Sequence, residues 1–262
     1  MHNFDFVKPA TLVDAVKAMA GAGAQALSGG QTLLPTMKAR LAQPAVIVSL
    51  TGIAEIRGVC AVDGGVSVGA ATPHAVVAAQ AGKYYPALAK LAGGIGDPAV
   101  RNRGTLGGSL ANNDPAACYP SAVLASAAVV HTNKRKIAAD DYFQGMFTTA
   151  LEEGEIITSV TFAIPEKAAY VKFDQPASRF ALTAVFVAKH ASGVRVAVTG
   201  ASNNGVFRWT EAEAALTANF ALSAVEGLTC SAKDMISDLH GTAAYRANLV
   251  KVLTKRAVAA AH

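Results

Sequence analysis

The stretch that most constrains this chain is residues 93–120, GGIGDPAVRNRGTLGGSLANNDPAACYP, with six glycines and three prolines. Glycine costs about 1 kcal/mol in a helix interior and proline roughly 3, so the stretch reads as a long loop rather than a packed element. Ordered loops of this length are more often functional than connective. Successive glycine and serine residues turn backbone N–H groups toward one point, which makes an anion nest. The stretch therefore reads as a holder of phosphate or pyrophosphate. A second segment, Ser28-Gly29-Gly30-Gln31-Thr32-Leu33-Leu34-Pro35, has the same chemistry. Two such loops imply a dinucleotide gripped from both sides.

A chain of 262 residues has room for two domains or one large one. Its 52% hydrophobic and 16% charged residues mark a globular chain rather than a disordered one. No run approaches the roughly 18 apolar residues of a spanning helix. The N-terminus lacks the charged start and apolar core of an export signal. A cytoplasmic protein without a transmembrane segment is expected. The net charge of +5 is scattered, with Lys134-Arg135-Lys136 the one cluster, so no nucleic-acid surface is expected. Cys60, Cys118 and Cys230 are odd in number and far apart, and the histidines show no ligand spacing. Neither a disulfide framework nor a metal site is expected in this chain. His74 and His131 read as surface or satisfied core residues.

Hydrophobic spacing predicts a helix over residues 11–20, capped by Thr11 and Asp14 and stopped at Gly21. A strand over 24–27 delivers the first glycine loop, and a buried strand follows over 45–50. A hairpin is expected over 56–70 around Asp63-Gly64-Gly65. Thr72-Pro73 opens a helix with Thr72 as N-cap, and a helix over 86–92 delivers the central stretch. A helix over 120–128 precedes strands at 129–132, 136–138 and 156–162. Ile164-Pro165 marks a domain boundary. Beyond it, strands at 170–173, 182–189 and 194–199 precede helices at 211–216, 232–239 and 243–260. This is an α+β layer, a small antiparallel sheet backed by helices.

Gly94-Ile95-Gly96 opens like G-x-G-x-x-G, but Ala99 stands in the third glycine's place and no strand precedes it. No P-loop pattern is present either, which leaves the non-Rossmann flavin folds. Residues 28–35 resemble the (A/S)-G-G-x-(S/T)-L-x-P loop of the FAD-binding medium subunit of the molybdenum hydroxylase family. That family includes xanthine dehydrogenase and aerobic carbon monoxide dehydrogenase. Arg101-Asn102-Arg103-Gly104-Thr105-Leu106-Gly107-Gly108-Ser109 resembles its second FAD loop. Lys172-Phe173 and Gln175-Pro176-Ala177-Ser178-Arg179-Phe180 resemble the stretch that opens its C-terminal domain.

The resemblance implies an FAD-binding domain over residues 1–165, of the vanillyl-alcohol-oxidase-like type. It consists of two α/β subdomains that meet near residue 55, and a C-terminal α+β domain over 166–262 follows. Implied FAD contacts are Ser28, Gly29, Gly30, Gln31, Thr32 and Leu33 in the first loop. Thr105, Leu106, Gly107, Gly108 and Ser109 belong to the second. Ile95 and Ile157 stand where the family places apolar walls, and Lys172 where it has a lysine near the cofactor. The molybdenum cofactor and two 2Fe–2S clusters are expected on a large and a small partner subunit, in a dimer of heterotrimers. This chain is then the flavoprotein subunit of a dehydrogenase, accepting electrons from the clusters and passing them to an external acceptor. Flavin supplies redox chemistry without a catalytic side chain, and none is named. A stand-alone FAD-dependent oxidoreductase of the same superfamily, or a non-catalytic subunit that has lost FAD, remains an alternative.

One departure bears on affinity. The family's A-D-Y-P is Ala117-Cys118-Tyr119-Pro120 here. Cys118 replaces an aspartate that contacts the cofactor in relatives, and Asp114 is the nearby substitute. A hydrogen bond to a charged group contributes about 1.5–3 kcal/mol, roughly ten- to hundredfold in affinity. Cys118→Asp is expected to tighten FAD binding by about that factor in a fluorescence titration; unchanged or weaker affinity would mean the relatives' contact is not available here.

Overall fold

Three short strands near the N-terminus, of which only Val46–Ser49 is β-branched, set up the first layer. The computed structural model describes residues 1–262. In it, Asp5–Val7, Val46–Ser49 and Ala24–Leu27 form a parallel sheet with Val46–Ser49 in the middle. The helix Leu12–Met19 starts at Thr11, whose Oγ1 accepts from Asp14 N at 3.1 Å and donates to the Asp14 carboxylate at 2.8 Å. This reciprocal cap satisfies an end donor that the helix itself cannot.

A second, antiparallel sheet runs in the order Val59–Val62, Gly65–Gly69, Ile157–Ala163, Val129–Thr132, Lys136–Ala138. Its hairpin turns at Asp63 and Gly64, and Gly64 takes φ +67°, a region open to glycine. Val66, Val68, Val160 and Phe162 pack there against Leu88, Leu91 and Tyr119 in the largest apolar core.

The third sheet, Lys167–Asp174, Ala181–His190, Gly193–Thr199 and Phe207–Arg208, is antiparallel throughout. Its strand Ala181–His190 is buried on both faces. Ala184, Phe186 and Ala188 enter the largest core, while Val185 and Val187 enter a second core under the helices Thr210–Ala218 and Ala243–Ala260. The strand period of two thus divides one segment between two cores. No helix is long and apolar enough to cross a membrane.

Four local expectations are corrected. The central stretch is not a plain loop: it holds the helices Pro98–Arg103 and Leu106–Asn112 and the start of Tyr119–Ala125. Asp97 accepts from Val100 N at 2.8 Å and Thr105 Oγ1 from Gly108 N at 3.2 Å, so each short helix begins on a side-chain cap. A cap contributes about 1 kcal/mol, comparable with one glycine's penalty. Packing supplies the rest: a Cβ on Gly107 would stand 2.6 Å from the Ala70 Cβ. The end of the first glycine segment is likewise helical, Leu33–Lys38, with Pro35 in the first turn where no N–H is needed. Thr72 is not a cap. The N-cap is Pro73, and the Thr72 hydroxyl donates to Gly58 O at 3.2 Å and accepts from Gly58 N at 2.8 Å. Residues 232–239 form turns instead of a helix, because Met235 pairs with Ser202 as an isolated bridge and Leu239 is 90% exposed.

The turn at 234–241 is tied to the third sheet by Arg246, which is 3% exposed. Its guanidinium donates to Leu182 O at 2.6 Å, to Gly200 O at 2.7 Å and to both Asp238 oxygens at 2.8 Å. Removing one partner of such a buried set costs about 3 kcal/mol. Arg246→Ala is expected to lose that much in urea unfolding, while Lys17→Ala, from an exposed pair with Asp14, changes stability by less than about 0.5 kcal/mol.

Candidate functional site

The strand Ala24–Leu27 ends at Ser28, and the backbone then reverses through Gly30 at φ +71°. The N–H groups of residues 29–33 have no protein acceptor. Gly29, Gly30 and Leu33 are half-buried and Gln31 and Thr32 exposed. Leu33 opens the helix Leu33–Lys38, where free N–H groups are ordinary, and a run of five free donors along one turn is the pattern that can face an anion.

The second loop is built differently. Gly107 N donates to Ala70 O at 2.8 Å, Gly108 N to Thr105 Oγ1, and Ser109 N to Thr105 O at 3.0 Å. These donors are committed within the protein. The two loops nevertheless touch backbone to backbone: a Cβ on Gly29 would lie 2.1 Å from Arg103 O and 2.6 Å from Gly104 Cα. A hydrogen bond of 2.8 Å between Ser28 Oγ and Thr105 Oγ1 locks the same junction.

The loops face a cleft of about 830 Å³, within the range of cofactor pockets. Ser28, Gly29, Gly30, Gln31, Thr32 and Leu33 border it, as do Thr105, Gly107, Gly108 and Ser109. Ile95, Ile157, Asp114 and Cys118 complete that set. Two of the residues named from the sequence do not border it. Leu106 is fully buried in the largest core. Lys172 lies behind the wall: its side chain is 5% exposed, and Nζ donates to Gly94 O at 2.7 Å and Arg179 O at 2.8 Å while pairing with Asp174 at 2.7 Å. It holds the turn at 175–180 against the end of the helix Pro86–Gly93. Asp114 Oδ1 accepts from Ala116 N at 2.8 Å. Cys118 is buried, with Sγ 3.9 Å from Lys172 Nζ. Burial pushes its thiol up, against the pull of the Lys172 ammonium.

Three bordering residues escape sequence reasoning. Arg179 and Phe180 reach the cleft from the third sheet, and the sequence marked them only as part of a domain-opening motif. His74 also borders it, at 5% exposure, and neither ring nitrogen has a protein partner. It is thus not a satisfied core histidine, and nothing in its sequence neighbourhood signals this. Burial, and secondarily the Arg101 guanidinium, lower it from 6.5 to about 4, so the ring is neutral at pH 7.

Free backbone donors, apolar walls and a cleft of about 830 Å³ are together what a phosphate-bearing cofactor requires. The comparisons agree. Residues 2–166 match the family described as the FAD binding domain in molybdopterin dehydrogenase, and the chain belongs to that family. It is 34% identical over 271 residues to the nicotine 6-hydroxylase medium subunit of Paenarthrobacter nicotinovorans, covering 97% of this chain and 95% of the relative. It is 31% identical over 281 residues to the carbon monoxide dehydrogenase medium chain of Afipia carboxidovorans, covering 98% and 96%. Among solved structures, the reconstituted CO dehydrogenase from Oligotropha carboxidovorans superposes with a TM-score of 0.89 at 28% identity, covering 98% of this chain and 97% of that one.

His74 makes stability depend on pH. Above 6.5 neither the folded nor the unfolded chain protonates it. Between 6.5 and about 4 only the unfolded chain does, so stability falls as the pH falls, and below about 4 the loss is complete. The slope is about 1.4 kcal/mol per pH unit and the total about 3 kcal/mol. Urea unfolding at pH 7 and 4.5 should show this loss in the wild type and a smaller one in His74→Phe; equal losses would contradict it.

Proposed function

We propose that this chain is the FAD-binding, electron-transferring medium subunit of a multi-subunit molybdenum hydroxylase. The observation that carries the proposal is the row of unpartnered N–H groups at residues 29–33, set against the second loop inside the matched family domain. The residues present fit the group. The first loop would hold the diphosphate through backbone donors, with the Thr32 hydroxyl beside them. Thr105, Gly108 and Ser109 would close the far side, and Ile95 and Ile157 would exclude water from the rings. Asp114 and Cys118 would border the cofactor, while Lys172 would act indirectly by fixing the turn that carries Arg179. FAD, when bound, supplies the redox chemistry that no side chain of the chain provides.

The same reading assigns the molybdenum cofactor and two 2Fe–2S clusters to a large and a small partner subunit, in a cytoplasmic dimer of heterotrimers. Relatives named as medium chains support separate larger and smaller partners. It also assigns residues 1–165 to a vanillyl-alcohol-oxidase-like FAD domain and 166–262 to the C-terminal domain. The end of the parallel sheet at Ser49 and the start of the antiparallel one at Val59 support a division near residue 55.

No His or Cys lies in either glycine loop, 28–35 or 101–109, so non-covalent binding is expected. The purified complex should be yellow and release all its flavin on acid precipitation; flavin in the pellet would contradict the reading. Gly30→Val puts a branched side chain at φ +71°, with its Cβ 2.8 Å from Leu34 Cδ1, and should give folded, colourless protein. Full flavin content in that variant would rule out the cradle. Co-purification of larger and smaller subunits separates this role from that of a stand-alone oxidoreductase.

A further inference from the structure

His74 opens the helix His74–Gln80, and its backbone is tied to the second loop: His74 N donates to Gly104 O at 2.9 Å, and Pro73 bridges to Thr105. The imidazole sits against the Tyr119 ring, with centroids 5.3 Å apart, and against Gly104. A Cβ at residue 104 would stand 2.6 Å from His74 Nε2. Glycine at that position is therefore what gives the ring its room. Gly29 meets the same Gly104 Cα from the cradle. One residue without a side chain thus separates the imidazole from the row of free donors.

The ring is 5% exposed and its Nδ1 is sealed from solvent without a partner, whereas Nε2 is also unpartnered but not sealed. A neutral imidazole carries one N–H and one lone pair. A sealed N–H with no acceptor is the costlier orphan, so the proton belongs on Nε2. An unsatisfied buried polar group costs about 1–3 kcal/mol. Nothing in the protein removes that cost at Nε2, and a ligand in the cleft that accepts a hydrogen bond would.

We infer that His74 is a further ligand of the cleft's dinucleotide, donating from Nε2 to its diphosphate beside the first-loop cradle. The inference rests on the FAD reading above. It gives the anion a neutral side-chain donor in addition to the backbone, and it gives Gly104 a purpose apart from the loop's own turn. The arrangement also explains why a histidine is tolerated at a buried helix start with no protein partner.

The test is titration of flavin-free protein with FAD and with ADP, for the wild type, His74→Phe and His74→Gln. Phenylalanine keeps a ring against Tyr119 and removes both orphan nitrogens, while glutamine restores a donor of similar reach. His74→Phe should bind FAD and ADP about tenfold more weakly, equivalent to one hydrogen bond of about 1.4 kcal/mol. His74→Gln should recover part of that loss. Unchanged affinity in His74→Phe, or a loss for FAD without a loss for ADP, overturns the inference. Should His74→Phe fail to fold, the 15N resonance of His74 Nε2 in the wild type decides: it shifts on adding ADP if the contact exists, and a fixed resonance overturns it. Wild-type protein that binds neither FAD nor ADP refutes the underlying reading before any variant is compared.

Discussion

Where Gly29 meets Arg103 and Gly104 there is no room for a side chain, and the site depends on that contact. With a Cβ on Gly29, the carbonyl of Arg103 would be only 2.1 Å away, and the two loops would have to part. The contact joins the parallel sheet, which delivers the first loop, to the antiparallel sheet, where the second loop docks on Ala70 at the end of the strand Gly65–Gly69. The hydroxyl pair Ser28–Thr105 secures it. An asymmetry follows. The first loop keeps the N–H groups of residues 29–33 free, since its ties to the second loop run through the Gly29 backbone contact and the Ser28 hydroxyl instead. The second uses its own N–H groups to cap and dock a short helix, and so acts as the rigid wall against which the first is set.

The third sheet completes the cleft by a different route. Its strand Ala181–His190 shares one face with the core beneath the second sheet, so the sheet is held by packing and not by a linker. Lys172 converts that rigidity into position. A nearly buried ammonium needs acceptors, and it finds them in Gly94 O, Arg179 O and the Asp174 carboxylate. Those contacts hold the turn at 175–180, with Arg179 at φ +60°, at the edge of the cleft.

Much of this was legible in the sequence, for local reasons. The strand 24–27, the hairpin at Asp63-Gly64 and the helix 243–260 follow from periodicity and turn chemistry, and the structure has each of them. The two glycine segments were legible as a pair because glycine is needed wherever backbone meets backbone. What escaped depends on distant partners. Gly107 sits inside a helix because Ala70 is behind it, which no local rule reports. Thr72 looks like a cap and instead serves Gly58. Residues 232–239 have helical composition but are drawn out by Ser202 and Arg246. His74 was invisible as a site residue because its significance lies in what it fails to contact.

The central claim is that one loop binds and the other supports it. Titrating 15N-labelled, flavin-free protein with ADP and following the backbone amides tests this directly. The account predicts large shifts for the amides of residues 29–33 and small ones for Gly107, Gly108 and Ser109, whose N–H groups are already bonded. Large shifts at 107–109 with little change at 29–33 would contradict it.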